Sequence, residues 1–138
     1  MKILLVEDDL RLCSRLRDDL SRRGYAVDTA DNGVDAERLG TEWPYAAVIL
    51  DLGLPRRSGL EVLRNWRARG NAVPVLILTA RGAWHEKVDG CNAGADDYVA
   101  KPFQAEQLHA RLGSLIRYTH AKPAGVATAA APALDAAS

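Results

Sequence analysis

No stretch of this 138-residue chain comes near the roughly 20 consecutive apolar residues that cross a bilayer. No secretory leader opens it either, because the apolar run at 3–6 stops at three acids, Glu7, Asp8 and Asp9. Cysteine is scarce. Cys13 and Cys91 stand far apart without metal-ligand spacing, which argues against a disulfide scaffold and for reduced thiols in a cytosolic protein. Charge of one sign is also missing: 18 basic and 18 acidic residues cancel, so composition carries no footprint of a nucleic-acid or polyanion binder. Internal repeats are absent. What remains is an ordinary hydrophobic share of 48%, enough for one domain around a single core. The chain is expected to be soluble and cytoplasmic, with no membrane association.

Two kinds of segment alternate. Short apolar runs occur at 2–7, 25–30, 46–51, 73–79 and 95–100, with longer amphipathic stretches between them. The runs Ala-Val-Ile-Leu at 47–50 and Val-Leu-Ile-Leu at 75–78 are apolar on both faces, as a parallel strand covered by helices requires. Asp9 can cap a first helix that buries Leu12, Cys13, Leu16 and Leu20 and stops at Gly24. Asn32 or Asp31 can cap a second, whose apolar face of Val34, Ala36 and Leu39 is weak. Ser58-Gly-Leu-Glu61 is a capping box ahead of Leu60, Leu63 and Trp66. A short fourth helix covers about 84–93 and ends at Gly94; a fifth follows Pro102 and buries Leu108, Leu112, Leu115 and Ile116. Five strands alternating with five helices predict an α/β fold, a flavodoxin-like doubly wound five-stranded parallel sheet of order 2-1-3-4-5. Ligands of such a sheet bind beyond the carboxyl ends of the strands where the order reverses, here the first and third. After Tyr118 the composition turns to Ala and Pro. The domain is expected over 1–118, with 119–138 a linker or tail leading to a further domain.

The informative feature is where the charges fall. Glu7, Asp8 and Asp9 follow the first strand and Asp51 ends the third, so the predicted topology makes them neighbours. Two unit charges about 4 Å apart repel by roughly 4 kcal/mol at an effective dielectric of 20. A hard divalent cation offsets that repulsion, and carboxylates with waters and a phosphate oxygen are what Mg²⁺ prefers, with Mn²⁺ as an alternative. Asp8 and Asp51 are the expected direct ligands, and Glu7 is placed to act through water. Asp9 reads better as the helix cap. Thr79 closes the fourth strand and Lys101 the fifth, where a hydroxyl and an ammonium can meet phosphoryl oxygens. Either residue alone would pass for a cap or a solvated strand end; the joint pattern would not.

That pattern resembles the receiver domain of two-component response regulators over about residues 1–118. The likeness is carried by Lys2-Ile-Leu-Leu-Val-Glu-Asp-Asp9, Val48-Ile-Leu-Asp-Leu-Gly-Leu-Pro55, Val73-Pro-Val-Leu-Ile-Leu-Thr-Ala-Arg81 and Gly94-Ala-Asp-Asp-Tyr-Val-Ala-Lys-Pro-Phe103. The resemblance implies that Asp51 accepts the phosphoryl group from a cognate sensor histidine kinase. Glu7, Asp8, Asp51 and the Gly53 carbonyl would hold the metal, and Thr79 and Lys101 the phosphoryl oxygens. It also implies a cis Lys101–Pro102 peptide and a switch in which Tyr98 turns inward as Thr79 moves.

Gly94-Ala-Asp-Asp-Tyr98, Lys101-Pro-Phe103 and Ala110-Arg111 are similar to the OmpR/PhoB-type subfamily, whose output is a winged-helix DNA-binding domain. This implies a homodimer on phosphorylation, with Lys87, Asp96, Asp97, Arg111 and Arg117 pairing around Val88, Cys91 and Ala110, and DNA contacted only through an effector domain outside this chain. One position departs. The subfamily carries a glutamate just before the leucine of the fifth helix, where this chain has Gln107; Glu106 lies one residue early, which leaves the Lys87 pairing open. Gly53 and Arg81 occupy places that can tune water access. A rival reading is a small phosphatase that forms an aspartyl phosphate, but Gly53 stands where its general acid–base carboxylate would be. A flavin module fits less well, because the first loop holds acids rather than a phosphate cradle. A stand-alone receiver acting through protein partners is the third alternative.

Overall fold

The computed structural model describes residues 1–80 and 82–121, without the side chains of Trp84, His120 and Ala121. Its elements follow in the order β1 (Lys2–Val6), α1 (Leu10–Arg22), β2 (Ala26–Ala30), α2 (Gly33–Glu42), β3 (Ala47–Asp51), α3 (Gly59–Ala68), β4 (Val75–Ala80), α4 (Trp84–Ala93), β5 (Asp97–Lys101) and α5 (Ala105–Ala121). All strand pairs are parallel and the sheet order is β2-β1-β3-β4-β5, as the sequence predicts. Arg81 and positions 122–138 of the expected linker lie outside the described residues, and α5 carries the chain three residues past 118.

Because side chains alternate along a strand, each central strand feeds two cores. Leu4, Val6, Val48, Leu50, Val75 and Ile77 pack with Ala36 of α2 and Val62, Leu63 and Trp66 of α3. Ile3, Leu5, Ile49, Leu76, Leu78 and Val99 pack with Leu16 and Leu20 of α1 and Leu108 and Leu112 of α5. Every one of these strand residues is at most 1% exposed. Each such aliphatic side chain contributes about 1.5–3 kcal/mol before the entropy of ordering it is charged, so the central strands form a stiff platform.

Caps set the helix starts. Asp9 Oδ1 accepts from the Arg11 and Leu12 amides at 3.1 and 3.2 Å, Asn32 accepts from Asp35, and Ser58 from Glu61. Two strands begin two residues later than their apolar runs. Pro74 has no N–H for the ladder, so β4 starts at Val75. The Ala95 amide is engaged by Gly90 O in the turn that closes α4, so β5 starts at Asp97. The buried face of α2 also differs from the expected one. Gly33, Ala36, Glu37 and Gly40 are buried, whereas Val34 and Leu39 are only half-buried.

Candidate functional site

The first strand ends where its sequence stops being apolar, and the chain turns into α1. Glu7 is drawn beneath that turn. Its amide donates to Ala30 O at 3.0 Å, its Oε2 accepts from the Asp9 amide at 3.1 Å, and it is 1% exposed. Asp8 stays exposed, while Asp51, at the end of β3, is buried. Glu7, Asp8 and Asp51 each bring a carboxylate oxygen within 4.8 Å of the others. Asp9 turns away to cap the helix. The grouping expected of these acids is therefore present.

Lys101 ends β5 on the same edge, followed by a cis peptide to Pro102. Its Nζ donates to Glu7 Oε1 at 2.6 Å and to Asp51 Oδ2 at 3.4 Å. The other Asp51 oxygen, Oδ1, accepts from the Gly53 amide at 3.2 Å. Thr79 is buried one residue before the end of β4, in register with Ala100, and Ala80 pairs with Lys101. The acids, Asp51 and Lys101 thus meet from three strand ends, and Thr79 is buried near the end of β4, the strand between β3 and β5.

The electrostatics follow from burial. Desolvation pushes the Glu7 carboxyl up to about 7, against the hydrogen bonds from Lys101 and the Asp9 amide; the adjoining Asp51 adds to the rise. Burial pulls the Lys101 ammonium down, but its hydrogen bond to Glu7 and the charge of Asp51 outweigh that and hold it above its ordinary value. Three carboxylates share one ammonium, so with all three ionised the pocket would carry two net negative charges. One divalent cation would balance them, and an all-oxygen donor set suits Mg²⁺.

The Response regulator receiver domain family model matches residues 3–113. This chain is a member of that family. As a response regulator receiver domain it is 47% identical over 117 residues to the two-component response regulator PhoP of Pseudomonas aeruginosa, covering 85% of this chain and 52% of that protein. It is 49% identical over 117 residues to the transcriptional regulatory protein QseB of Haemophilus influenzae, covering 85% and 53%. The resemblance to OmpR/PhoB-type regulators holds, and the chain spans about half the length of these curated relatives. A solved receiver domain from a Pseudomonas aeruginosa sensor histidine kinase, with a magnesium ion coordinated in its active site cleft, superposes with a TM-score of 0.77 at 33% identity, covering 83% of this chain and 96% of that one.

The residues expected on an output face are placed as follows. Tyr98 is half-buried on β5, with Lys87 Nζ 4.2 Å and Arg111 Cζ 5.8 Å from its ring centre. Arg111 pairs with Asp97 at 2.9 Å within the chain. Asp96 accepts from the Val75 amide at 2.8 Å and meets Arg67 at 3.3 Å, near the start of β5. Arg117 lies by Ser114, and Val88, Cys91 and Ala110 are exposed.

Sequence reasoning missed Glu37. It is 5% exposed, yet its carboxylate gathers Arg57, Asn65 and Arg69. The signal was present: Gly33, Ala36 and Gly40 mark a face of small residues at helical spacing, and Glu37 falls on it.

Proposed function

We propose that this receiver domain accepts a phosphoryl group on Asp51 from a cognate sensor histidine kinase in a Mg²⁺-dependent reaction. The single observation that carries the reading is Lys101, bridging Glu7 and Asp51 across 94 and 50 positions of chain. An ammonium held on the acceptor carboxylate offers a positive charge to the incoming group. The Asp51 carboxylate attacks phosphorus in line. The N–P bond of a phosphohistidine breaks, its electron pair returns to the imidazole, which takes a proton from water, and an Oδ–P bond forms. No general base is required, because the nucleophile is already an anion. Lys101 and the Thr79 hydroxyl bind phosphoryl oxygens. Glu7, Asp8, Asp51 and the Gly53 carbonyl would hold Mg²⁺ (or Mn²⁺), which when bound neutralises charge on the transferring group. The domain is thus a phosphoacceptor rather than a conventional enzyme.

The output reading rests on Tyr98 beneath Lys87 and Arg111. Withdrawal of the Thr79 hydroxyl toward a phosphoryl oxygen lets Tyr98 turn inward and frees those cations to pair across a homodimer of α4-β5-α5 faces, which would control a DNA-binding domain beyond this chain. Intact-mass measurement after acetyl phosphate tests the chemistry. We expect a gain of one phosphoryl unit that EDTA and Asp51→Asn both abolish; labelling that survives in Asp51→Asn refutes the assignment. Sedimentation of the beryllofluoride-treated domain tests the dimer, and a strict monomer at high concentration removes it.

A further inference from the structure

The buried carboxylate of Glu37 stands outside the acidic pocket, and what it holds is the loop that leaves the pocket. Its Oε1 accepts from Arg57 Nη1 at 3.0 Å and from Asn65 Nδ2 at 2.9 Å, and its Oε2 faces Arg69 Nη1 at 3.4 Å. Arg57 belongs to the segment 52–58 between β3 and α3, which starts one residue after Asp51 and contains Gly53. That segment follows a tight course. Arg56 has φ +70°, a region costly for a non-glycine residue. Pro55 O accepts from the Arg57 amide at 2.8 Å and from the Gly33 amide of α2 at 3.2 Å. A Cβ added at Gly33 would sit 1.9 Å from Arg57 O, so α2 and the loop backbone are in direct contact. At its near end the loop meets the acceptor, where the Gly53 amide donates to Asp51 Oδ1.

A packing role alone would not require a buried charge with three cationic or amide donors. Burying a carboxylate costs several kcal/mol unless it is fully paired, and a neutral side chain could fill the same space. Of the donors gathered by Glu37, only Arg57 lies in the loop; Asn65 belongs to α3 and Arg69 follows it. We infer that Glu37 is a positioning residue for the acidic pocket: through Arg57 it holds loop 52–58 in the course that keeps the Gly53 backbone against Asp51. The inference rests on the Asp51 reading above for its consequence, since a displaced Gly53 carbonyl would be a poorer metal ligand. The holding of the loop itself does not depend on that reading.

Two measurements on the whole chain test it, amide hydrogen exchange without metal and calorimetric titration with Mg²⁺. Glu37→Gln and Arg57→Gln should each speed exchange at the Gly53, Arg57 and Gly59 amides and weaken Mg²⁺ binding about tenfold, the size usual for a group that orients a metal ligand. The double variant should lose no more than either single one, because both remove one interaction. Arg69→Gln, which touches Glu37 but not the loop, should leave both readouts unchanged. A Glu37→Gln protein with lowered Tm but wild-type loop exchange and Mg²⁺ affinity would overturn the inference and leave Glu37 a structural residue. Should Glu37→Gln not fold, Arg57→Gln alone decides, since that guanidinium is about one-third exposed. A wild-type protein that binds no Mg²⁺ refutes the pocket reading, and loop exchange still judges Glu37. Mg²⁺ binding that is equal in wild type and variants, with unchanged exchange, refutes only the Glu37 inference.

Discussion

Helices α3 and α4 are both ten residues long and lie in sequence on either side of β4, yet they are held in different ways. α3 starts on a Ser58 side-chain cap and buries Val62, Leu63 and Trp66, and the Trp66 indole N–H donates to Glu37 O at 3.1 Å. α4 starts at Ala83, which offers no side-chain cap, and Gly90 is its one fully buried position among the described side chains. A Cβ at Gly90 would lie 2.3 Å from Ile77 Cδ1, so the helix rests on its backbone rather than on apolar side chains. Its two ends also differ. At the far end the Arg67 guanidinium donates twice to Gly94 O, at 3.1 and 2.9 Å, and once to Asn71 O. At the near end, beside Thr79, a carboxylate from within the helix does the holding: Glu86 Oε1 accepts from the Ala80 amide at 3.1 Å. The comparison teaches where motion is cheap. Shifting α3 would expose a buried core, whereas among the described residues the start of α4 is tied down mainly by polar contacts, the Glu86 carboxylate on the Ala80 amide, the Ala83 amide on Ala80 O at 3.0 Å and Lys87 over the Tyr98 ring.

Substitutions test this contrast directly. The largest effect is expected at Trp66→Ala, which should cost about 3–5 kcal/mol in urea unfolding by opening a cavity under α3; a loss below about 1 kcal/mol would mean that α3 is not core-anchored. Next comes Gly94→Ala. Gly94 has φ +109° and its added Cβ would meet Arg67 at 2.9 Å, so a loss of roughly 1–3 kcal/mol is expected, with faster amide exchange at the end of α4. Removing the α3 cap by Ser58→Ala should cost about 1 kcal/mol, whereas adding one to α4 by Ala83→Ser should stabilise by a similar amount and slow exchange at its first turn. If Ala83→Ser changes neither stability nor exchange, the near end of α4 is not the loose one.

A pH profile distinguishes both helices from the pocket. The folded state raises the Glu7 carboxyl from 4.5 to about 7, so between those values the native protein holds a proton that the unfolded chain has released. The stability contributed by that proton is complete below about 4.5 and is lost as pH rises through about 7. Urea unfolding of the metal-free domain should therefore show stability declining over that window. Glu7→Gln should flatten the decline, and a wild-type profile that rises through the window would contradict the burial argument.

Much of this was legible beforehand because local rules govern it. Doubly apolar runs such as 47–50 and 75–78 call for strands covered on both sides, and Asp9, Asn32 and Ser58 announce helix starts whatever lies across the fold. The acids after β1 and at Asp51 were legible as a site, because grouping like charges demands a counter-charge. Other features depend on contacts between residues distant in the chain. That Lys101 would rest on both Glu7 and Asp51, that burial rather than pairing would set the Glu7 proton, and that Glu37 would reach the loop beside Asp51 each require two elements to be placed together first. Sequence alone determined the element order and which residue types end each strand, since periodicity and capping act over a few residues. Tertiary structure decided which charges are buried and what each one touches, because desolvation and Coulomb terms depend on distances that no local pattern encodes.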